Sequence, residues 1–445
     1  MANCQLLTAK SYFTYSGLLL VFLLFGLTTE AQQLLTLEDA VKIALENNYN
    51  IRLSKNNAAI SANNVNLAEA GMLPAVTGNL NNNSSIQNSS QTQADGSVRE
   101  LDRARNSSTS YGVSLNWTVF DGFAMFSIYD ELKELKKLGE TNMRATVLNT
   151  VSEVINNYYN LVRLKQELSA TDTAVAISRL RLTTAQNRYK IGKAAKLEVL
   201  TATVDLNTDT TNLLRQRDYV RSAKITLNEL LARDVNTPFD VTDTIAVDNQ
   251  LQYDRLQQLS SQQNPAIQTA FINERIARLN LKQVKANRYP VIGLATGYNF
   301  SRSHSELGFA RDSRGRGLTY GVTASVNIFN GFLQRRYEKN AEIQIDNANL
   351  EYERQKQNIN AQLLSAYQTY QTNLELVKLE KSNQDVAKQN MDITLAKFRL
   401  GSVTPVEFRE AQRNYLDANV RFTGAQYQAK AAEIALKELA GNLDL

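Results

Sequence analysis

Two stretches of the chain alternate apolar and polar residues with a period of two. Their apolar positions are Tyr111, Val113, Leu115, Trp117 and Val119 in the first stretch, and Tyr320, Val322, Ala324, Val326 and Ile328 in the second. Such alternation places one face of a β-strand in an apolar environment and the other in water. It is the pattern of a strand that crosses a membrane as part of a barrel.

A Phe-(Asp/Asn)-Gly corner ends each strand, and a very long helical pattern follows. Residues 124–189 contain no proline, and as a helix they would extend roughly 100 Å at about 1.5 Å per residue. The apolar residues of this helix recur at heptad spacing, at Val147, Val151, Val154, Tyr158, Leu161 and Leu168. The spacing predicts a supercoiled partner helix.

The chain is a tandem duplication. The series Asn48, Ile51, Pro74 recurs as Asn264, Ile267, Pro290. We predict a first repeat at 34–232, a connector at 233–250 and a second repeat at 251–442. Each repeat reads helix, strand, loop, strand, long helix, turn, helix, with the first helix ending near Gly71 and long loops at 84–108 and 303–317.

The first 31 residues have the pattern of a cleaved signal peptide. Lys10 supplies a positive charge, residues 18–27 an apolar run, and Ala31 ends a small-residue cleavage site. The apolar run is too short to span a bilayer. Cys4 lies upstream of it, so the exported chain would contain no cysteine and no disulfide.

Composition argues against several functional classes. The net charge of +5 arises from basic residues dispersed among acidic ones, which is typical of solvated helix faces and argues against nucleic-acid binding. His304 is the single histidine, which argues against a zinc site, and we interpret it as an incidental loop residue. We find no catalytic triad or phosphate-binding loop, so we expect no enzyme activity, no cofactor and no metal.

Four strands per chain are too few to close a membrane barrel, because the smallest such barrels have about eight. The chain must therefore oligomerise, and cyclic symmetry closes a ring economically. Three copies would give twelve strands. The sequence alone also permits a dimer or a tetramer.

Two copies of the strand with its Phe-(Asp/Asn)-Gly corner, two glycine helix tips and a signal peptide together resemble the TolC family of bacterial outer-membrane efflux proteins. The resemblance implies an α+β membrane protein whose four strands close as a 12-stranded β-barrel in a homotrimer, with long helical hairpins forming a periplasmic α-barrel. It implies an exit duct in the outer membrane, contacting its lipid and served by a periplasmic adaptor protein and an inner-membrane pump.

The resemblance also implies a gate at the helix tips. Glu198 and Glu407 stand at matching positions after Gly192 and Gly401, and Glu410 follows one turn later. We expect these glutamates to line the entrance as rings of negative charge. The alternative is that they are first-turn carboxylates that stabilise helix N-termini.

Other candidate sites follow from position. The exposed tips predict contact with the adaptor through Gly192, Lys193, Ala194, Gly401, Ser402 and Val403. Val403 stands where family members carry an arginine that ties the closed gate, so a latch there is in doubt and Phe398 and Arg399 are substitute candidates.

The aromatic belt is predicted at Trp117, Phe123 and Phe332, and the strand-helix corners comprise Phe120, Gly122, Phe329 and Gly331. The belt could also include Phe120 and Phe329, although both fall on the polar, inward parity of their strands and could plug the junction instead.

Three competing functions remain open. A structural or adhesive coiled-coil protein of the cell surface would explain the heptads but not the alternating strands. A self-gated porin would not require hairpins of ~100 Å. Within the duct hypothesis, the protein could also be a type I secretion component that exports polypeptides, and the sequence does not identify the cargo or the pump.

Overall fold

The computed structural model describes residues 33–242, 244–306 and 310–443, so the signal-peptide prediction lies outside the described residues. The helices are α1 (Leu37–Asn47), α2 (Tyr49–Asn63), α3 (Ala124–Lys190), α4 (Lys196–Leu230), α5 (Tyr253–Gln263), α6 (Pro265–Ala286), α7 (Leu333–Leu400) and α8 (Pro405–Leu439). The strands are β1 (Gln33–Leu35), β2 (Ala75–Thr92), β3 (Val98–Asp121), β4 (Phe239–Val241), β5 (Val291–Ser305) and β6 (Asp312–Ser325). Among these helices none is both long and apolar enough to cross a bilayer.

Each repeat opens with two helices, where the sequence predicted one. The side chain of Asn48 accepts hydrogen bonds from the backbone N–H groups of Asn50 (2.8 Å) and Ile51 (3.3 Å), so it ends α1 and caps α2. Asn264 does the same at the start of α6. The predicted helix end near Gly71 is also wrong. Asn66 accepts from the N–H of Glu69 at 2.7 Å, and this local bond competes with helix continuation.

The main sheet is antiparallel, in the order β2-β3-β5-β6. The predicted loops at 84–108 and 303–317 are largely strand, because β2 and β3 remain paired out to Thr92 and Val98 and β5 and β6 out to His304 and Asp312. An Asp95-Gly96 turn reverses the first hairpin, as this dipeptide commonly does. The Ser, Asn and Arg content of the stretches 84–108 and 303–317 indicated solvent exposure, which a paired ribbon of two strands also provides.

One face of this sheet is apolar and the other carries small polar residues. Register places on the apolar face Val76 and Leu80, Tyr111 to Trp117 at every second residue, Ile292 to Phe300 at every second residue, and Leu318 to Ala324 at every second residue. On the polar face, a Cβ added at Gly297 would lie 2.9 Å from the carbonyl oxygen of Val113, whereas Gly78 on the apolar face has open space. Gly321, on the polar face of the edge strand β6, also has open space, so the closest contacts lie at the central strands β3 and β5.

The repeated corner motif has a physical explanation. Gly122 and Phe123 both adopt positive φ, as do Gly331 and Phe332. The Asp121 carboxylate accepts from the N–H of Met125 at 2.8 Å and so caps α3; Asn330 does the same for α7. The motif is therefore a fixed strand-to-helix turn in both repeats.

The two corners differ in how far the strand extends toward them. In β3 a bulge between Thr118 and Phe120 sets Phe120 opposite Ile292. The prediction that Phe120 lies on the polar, inward face of its strand is therefore wrong. β6 ends at Ser325, because its partner β5 begins only after Pro290. Val326 and Ile328, which were predicted as strand positions, lie beyond the end of β6. Phe329 also lies beyond it and therefore belongs to neither face of the sheet.

The helices form two antiparallel hairpins, α3–α4 and α7–α8, with α8 packed on α3. The predicted heptad seam is buried from Val151 to Leu161 and half-buried at Val147 and Leu168, and its surroundings are a mixed core rather than one partner helix. Val154, Tyr158 and Leu161 are covered by residues of α1, α4 and α8 and by the short parallel pair β1–β4. The Tyr158 hydroxyl donates to the carbonyl of Leu35 at 3.0 Å, which fastens β1 to α3.

Candidate channel entrance at the helix tips

Both hairpins reverse at a glycine in the left-handed conformation. Gly192 has φ +75° and Gly401 has φ +79°. The N–H of Lys193 donates to Arg188 at 2.8 Å, and the N–H of Ser402 donates to Lys397 at 3.0 Å. These bonds satisfy the last helix carbonyls, as in a Schellman C-cap. The two tips therefore share one backbone design.

The second tip has a complete N-terminal cap. Thr404 Oγ1 accepts from the N–H of Glu407 at 3.2 Å, and Glu407 Oε2 accepts from the N–H of Thr404 at 2.8 Å. This is a capping box, and Pro405 occupies the first turn of α8. These bonds to Thr404 hold the pKa of the Glu407 carboxyl below its usual value. At the first tip Ala195 precedes α4 and provides no side-chain cap.

The second tip also has an aromatic core. The rings of Phe398 and Phe408 stack with centroids 4.7 Å apart, and both side chains are buried. Met391 and Ala411 complete the buried cluster, against which Val403 packs. The corresponding aromatic residue of the first tip, Tyr189, is 47% exposed.

At the first tip, ion pairs between side chains connect the two helices instead. Arg188 of α3 and Glu198 of α4 form an ion pair at 3.5 Å. Further from the tip, Arg181 of α3 pairs with Asp205 of α4 at 2.5 Å, and Arg181 is almost fully buried. Charged groups thus link the two arms where the second hairpin uses stacked rings.

A buried polar network fastens the second hairpin to the first. Arg409 of α8 binds both carboxylate oxygens of Asp209 on α4, at 2.6 and 2.9 Å. Its Nε lies 3.5 Å from Asp205. Because a bidentate arginine–carboxylate pair is strong and directional, it fixes α8 against α4. Its bonds to Asp209 raise the pKa of the Arg409 guanidinium.

Two further polar side chains complete this network on α3. Ser178 donates to Asp209 at 2.5 Å. Gln412 donates to Ser178 and to the carbonyl of Ala174, both at 3.1 Å. We call the set Ser178, Arg181, Asp205, Asp209, Arg409 and Gln412 the inter-hairpin network. It joins three helices, and of its buried polar atoms Arg181 Nε has no hydrogen-bond partner in the described ranges.

Comparison with known proteins identifies the family to which this architecture belongs. The model of the outer membrane efflux protein family matches residues 40–233 and 256–442, which is most of the chain. The chain belongs to the outer membrane efflux protein family. It is 21% identical over 428 residues to the outer membrane efflux protein BepC of Brucella suis biovar 1, covering 94% of this chain and 88% of BepC. It is 19% identical to the outer membrane protein TolC of Vibrio cholerae, covering 75% of this chain and 77% of that protein.

A solved structure has the same fold. The Campylobacter jejuni CmeC outer membrane channel matches with a TM-score of 0.75 at 16% identity, over 91% of this chain and 85% of that one. The resemblance inferred from the sequence is therefore confirmed, and the protein is an outer-membrane efflux channel of this family. Proteins of this family are channels and not enzymes.

Within this efflux-family fold the predicted gate residues fall into different settings. Glu198 is paired with Arg188, and Glu407 caps α8 through one of its two oxygens. Glu410 is exposed and has no ion pair in the described ranges. The helix-terminus alternative therefore describes a real contact of Glu407, while gate lining stays a prediction for all three. Phe398, a candidate latch, is a core residue of the second tip, and Arg399 is exposed.

The other predicted positions are also located. Gly192, Lys193, Gly401 and Ser402 are exposed at the tips, while Ala194 and Val403 are half-buried. Phe123, Phe329 and Phe332 are exposed at the corners, where Phe120 packs edge-on against Phe123 and Phe329 against Phe332. Trp117 donates its indole N–H to the carbonyl of Met72 at 2.9 Å. The residues that the structure describes contain no cluster of metal-ligating side chains.

Sequence reasoning missed the inter-hairpin network. One signal was present: Arg409 directly follows buried Phe408, and Gln412 lies three residues later on the same helix face. Polar residues on an otherwise apolar face indicate buried partners, because an unpaired buried polar group is costly. The partners on α3 and α4 lie some 200 residues away, so pattern alone could not name them.

Proposed function

We propose that three copies of the chain close side by side into a hollow cylinder that is the passive exit duct of a tripartite export system. In this homotrimer the sheets form a twelve-stranded barrel in the outer membrane, and the helices form a periplasmic tunnel. The single observation that carries the proposal is that each copy has two pairs of unpaired edges. One pair is formed by the outer strands of the sheet, and the other by the outer helices of the two hairpins.

The first pair of edges belongs to the sheet. In the described ranges β2 pairs only with β3 and β6 only with β5, so each presents a free row of backbone donors and acceptors. Such an edge in lipid costs several kcal/mol for each unpaired group. Pairing β2 of one copy with β6 of the next removes both edges. Three copies then supply twelve strands, an even number above the minimum of about eight.

The second pair of edges belongs to the helices. Contacts give the order α4-α3-α8-α7 across the lower half of the chain. The outer helix α7 exposes apolar residues in steps of seven, at Leu379, Val386, Ile393 and Leu400. The outer helix α4 exposes Leu197, Leu200 and Val204. A heptad stripe needs a facing helix, and a head-to-tail contact of α7 with α4 closes a ring.

This ring is tested by a charge placed in the stripe. Ile393→Asp should abolish the trimer, because the carboxylate would be buried without a partner. Lys388→Asp, exposed on a different face of α7, is the matched control and should leave the trimer intact. Native mass spectrometry of detergent-extracted protein counts the copies. A stable trimer of the Ile393→Asp variant would exclude this interface.

The gate assigned to this duct lies at the tips. Glu407 is held in a fixed orientation by Thr404 through Oε2, which leaves its second oxygen for the lumen. Glu410 follows one turn later on the same face. Three copies would give two rings of negative charge that favour cations. Glu198 would add a third, weaker ring, because Arg188 partly neutralises it.

We predict that Glu407→Gln with Glu410→Gln lowers the cation preference of the channel in single-channel recordings, because the variant removes both rings of negative charge. Asp218→Asn is the control, since it neutralises an exposed acid in the middle of α4, away from the tips, and should leave the preference unchanged. Unchanged selectivity of the double variant would remove the acidic rings from the account.

Partners dock at the same end. Gly192 and Gly401 have open space around them, and Lys193 and Ser402 are exposed. These small tips fit a close contact with the tips of a periplasmic adaptor, which would link the duct to an inner-membrane pump. The pump then determines the cargo. The amphipathic sheet supports this function over a surface coiled-coil protein, which has no use for it.

A further inference from the structure

A row of arginines lies at the outer end of the apolar face of the sheet. Arg302 of β5 stands directly opposite Arg314 of β6, and Arg316 stands opposite Phe300. Because side chains on neighbouring strands share a face when they are directly opposite, all three arginines project from the same face as Phe300. All three are exposed.

This arrangement is unfavourable in the chain alone. Like charges directly opposite each other destabilise a sheet. Within the described ranges no hydrogen bond or ion pair involves the side chains of Arg302, Arg314 or Arg316. The nearest acid in this register, Asp312, lies 3.0 Å from the ring of His304. Arg302 acts electrostatically on the Asp312 carboxyl, but neither guanidinium group of the pair has a carboxylate within ion-pair distance in the described ranges.

The arginines begin where the apolar band ends. From Ile292 to Phe300 the apolar face of β5 extends about 27 Å at roughly 3.4 Å per residue, or roughly 21 Å along the membrane normal at a strand tilt of about 40°, near the apolar band of about 25 Å in membrane barrels. At its outer edge Tyr111 stacks on Phe300 with ring centroids 4.9 Å apart. Aromatic residues mark the membrane–water interface, so the next row lies at the level of the lipid head groups.

We infer that Arg302, Arg314 and Arg316 bind phosphate-bearing lipid head groups of the outer leaflet. This inference rests on the proposed function, which orients the sheet with its hairpins outward. Guanidinium groups bind phosphate oxygens in a bidentate fashion. A phosphate between Arg302 and Arg314 would offset their repulsion. The lipid is favoured over a soluble anion because the arginines continue the apolar face of the sheet and not the polar one.

The test compares two double variants in nanodiscs of phosphatidylcholine with a minor fraction of phosphatidylglycerol. Mass spectrometry measures the phosphatidylglycerol that copurifies with each protein after extraction. Arg302→Gln with Arg314→Gln should lower the amount of copurified phosphatidylglycerol roughly tenfold. Arg99→Gln with Arg103→Gln removes the same charge from the protruding part of the β2–β3 ribbon and should leave it unchanged. Arg302→Lys with Arg314→Lys should give an intermediate loss.

The outcomes separate the two proposals. If the Arg302→Gln/Arg314→Gln protein still forms the trimer but retains as much phosphatidylglycerol as the wild type, the lipid site is wrong and the duct stands. If inorganic phosphate displaces the lipid at equal concentration, the site binds soluble anions and the inference is overturned. If the wild-type protein forms no ring in the nanodisc, the proposed function fails and the inference fails with it.

Discussion

The two helix tips occupy matching positions in the two hairpins but are stabilised by different interactions. The first tip uses ion pairs, Arg188–Glu198 and Arg181–Asp205. The second uses the stacked pair Phe398–Phe408 and a capping box at Thr404. The backbone reversal at glycine is the same in both. The glycine thus defines the hairpin, and the side chains around it are free to diverge.

The second tip has a buried aromatic core, against which Ile177 of the first hairpin also packs, and a side-chain cap. Arg409 and Gln412 attach that tip to the first hairpin. The second tip is therefore held to the first hairpin by both apolar packing and the inter-hairpin network. The first tip has no such core, and its aromatic residue Tyr189 is exposed.

The largest effect is expected from Arg409→Ala. Removing one partner of a buried ion pair leaves Asp209 uncompensated, at a cost of about 3–5 kcal/mol. Amide hydrogen exchange of residues 403–415 should accelerate, while exchange within the first hairpin changes less. Arg413→Ala, at an exposed position of α8, is the control. Equal protection in the Arg409→Ala protein would mean that the network does not hold the hairpins together.

The next effect comes from the aromatic core. Phe408→Ala should destabilise the second tip locally by about 3–5 kcal/mol, because a buried ring is replaced by a cavity. Val199→Ala, at the equivalent position of the first tip, should cost far less, since Val199 is only half-buried. Limited proteolysis at the tips compares the two variants. Equal sensitivity would contradict the claim that only the second tip has a core.

A smaller effect is expected from the helix caps. Thr404→Ala should lower the stability of the second tip by about 0.5–2 kcal/mol, and Ala195→Thr should stabilise the first tip, which has no side-chain cap. Thr211→Ala, exposed within α4, is the control. Exchange rates of the first-turn amides report both changes. A null result for both substitutions would show that the caps do not distinguish the tips.

The smallest effect is a dependence on pH. The pKa of Glu407 is lower in the folded chain because it accepts hydrogen bonds from Thr404. Its contribution is therefore present above the usual value of 4.5 and is lost as the pH falls below that value. Exchange at the start of α8 should accelerate slightly more on acidification in the wild type than in Glu407→Gln. The reverse order would contradict the capping role.

Much of the fold followed from the sequence because it depends on periodicity. The alternating strands, the long helices and the two tips each repeat a local pattern, and the corner motif marks the junctions. The broken first helices were missed because Asn48 and Asn264 interrupt them with a single side chain. The extended strands beyond Ser84 and Ser303 were missed because exposed ribbons have the composition of loops.

The candidate site was only partly predictable for a different reason. Gly192, Gly401 and the glutamates that follow them are visible in the sequence. The Arg409–Asp209 contact joins residues of different repeats, and no local pattern encodes such a pair. The bulge that turns Phe120 to the apolar face is likewise set by pairing with β5. Contacts between distant segments therefore account for most of what the sequence left open.

The most direct test of the ring is negative-stain electron microscopy of the full-length protein extracted from the membrane in detergent. The account predicts a threefold hollow cylinder in end views and, in side views, a long helical part continuing from the barrel. A solid rod, or a particle with no central channel, would contradict the duct and favour a coiled-coil surface protein instead.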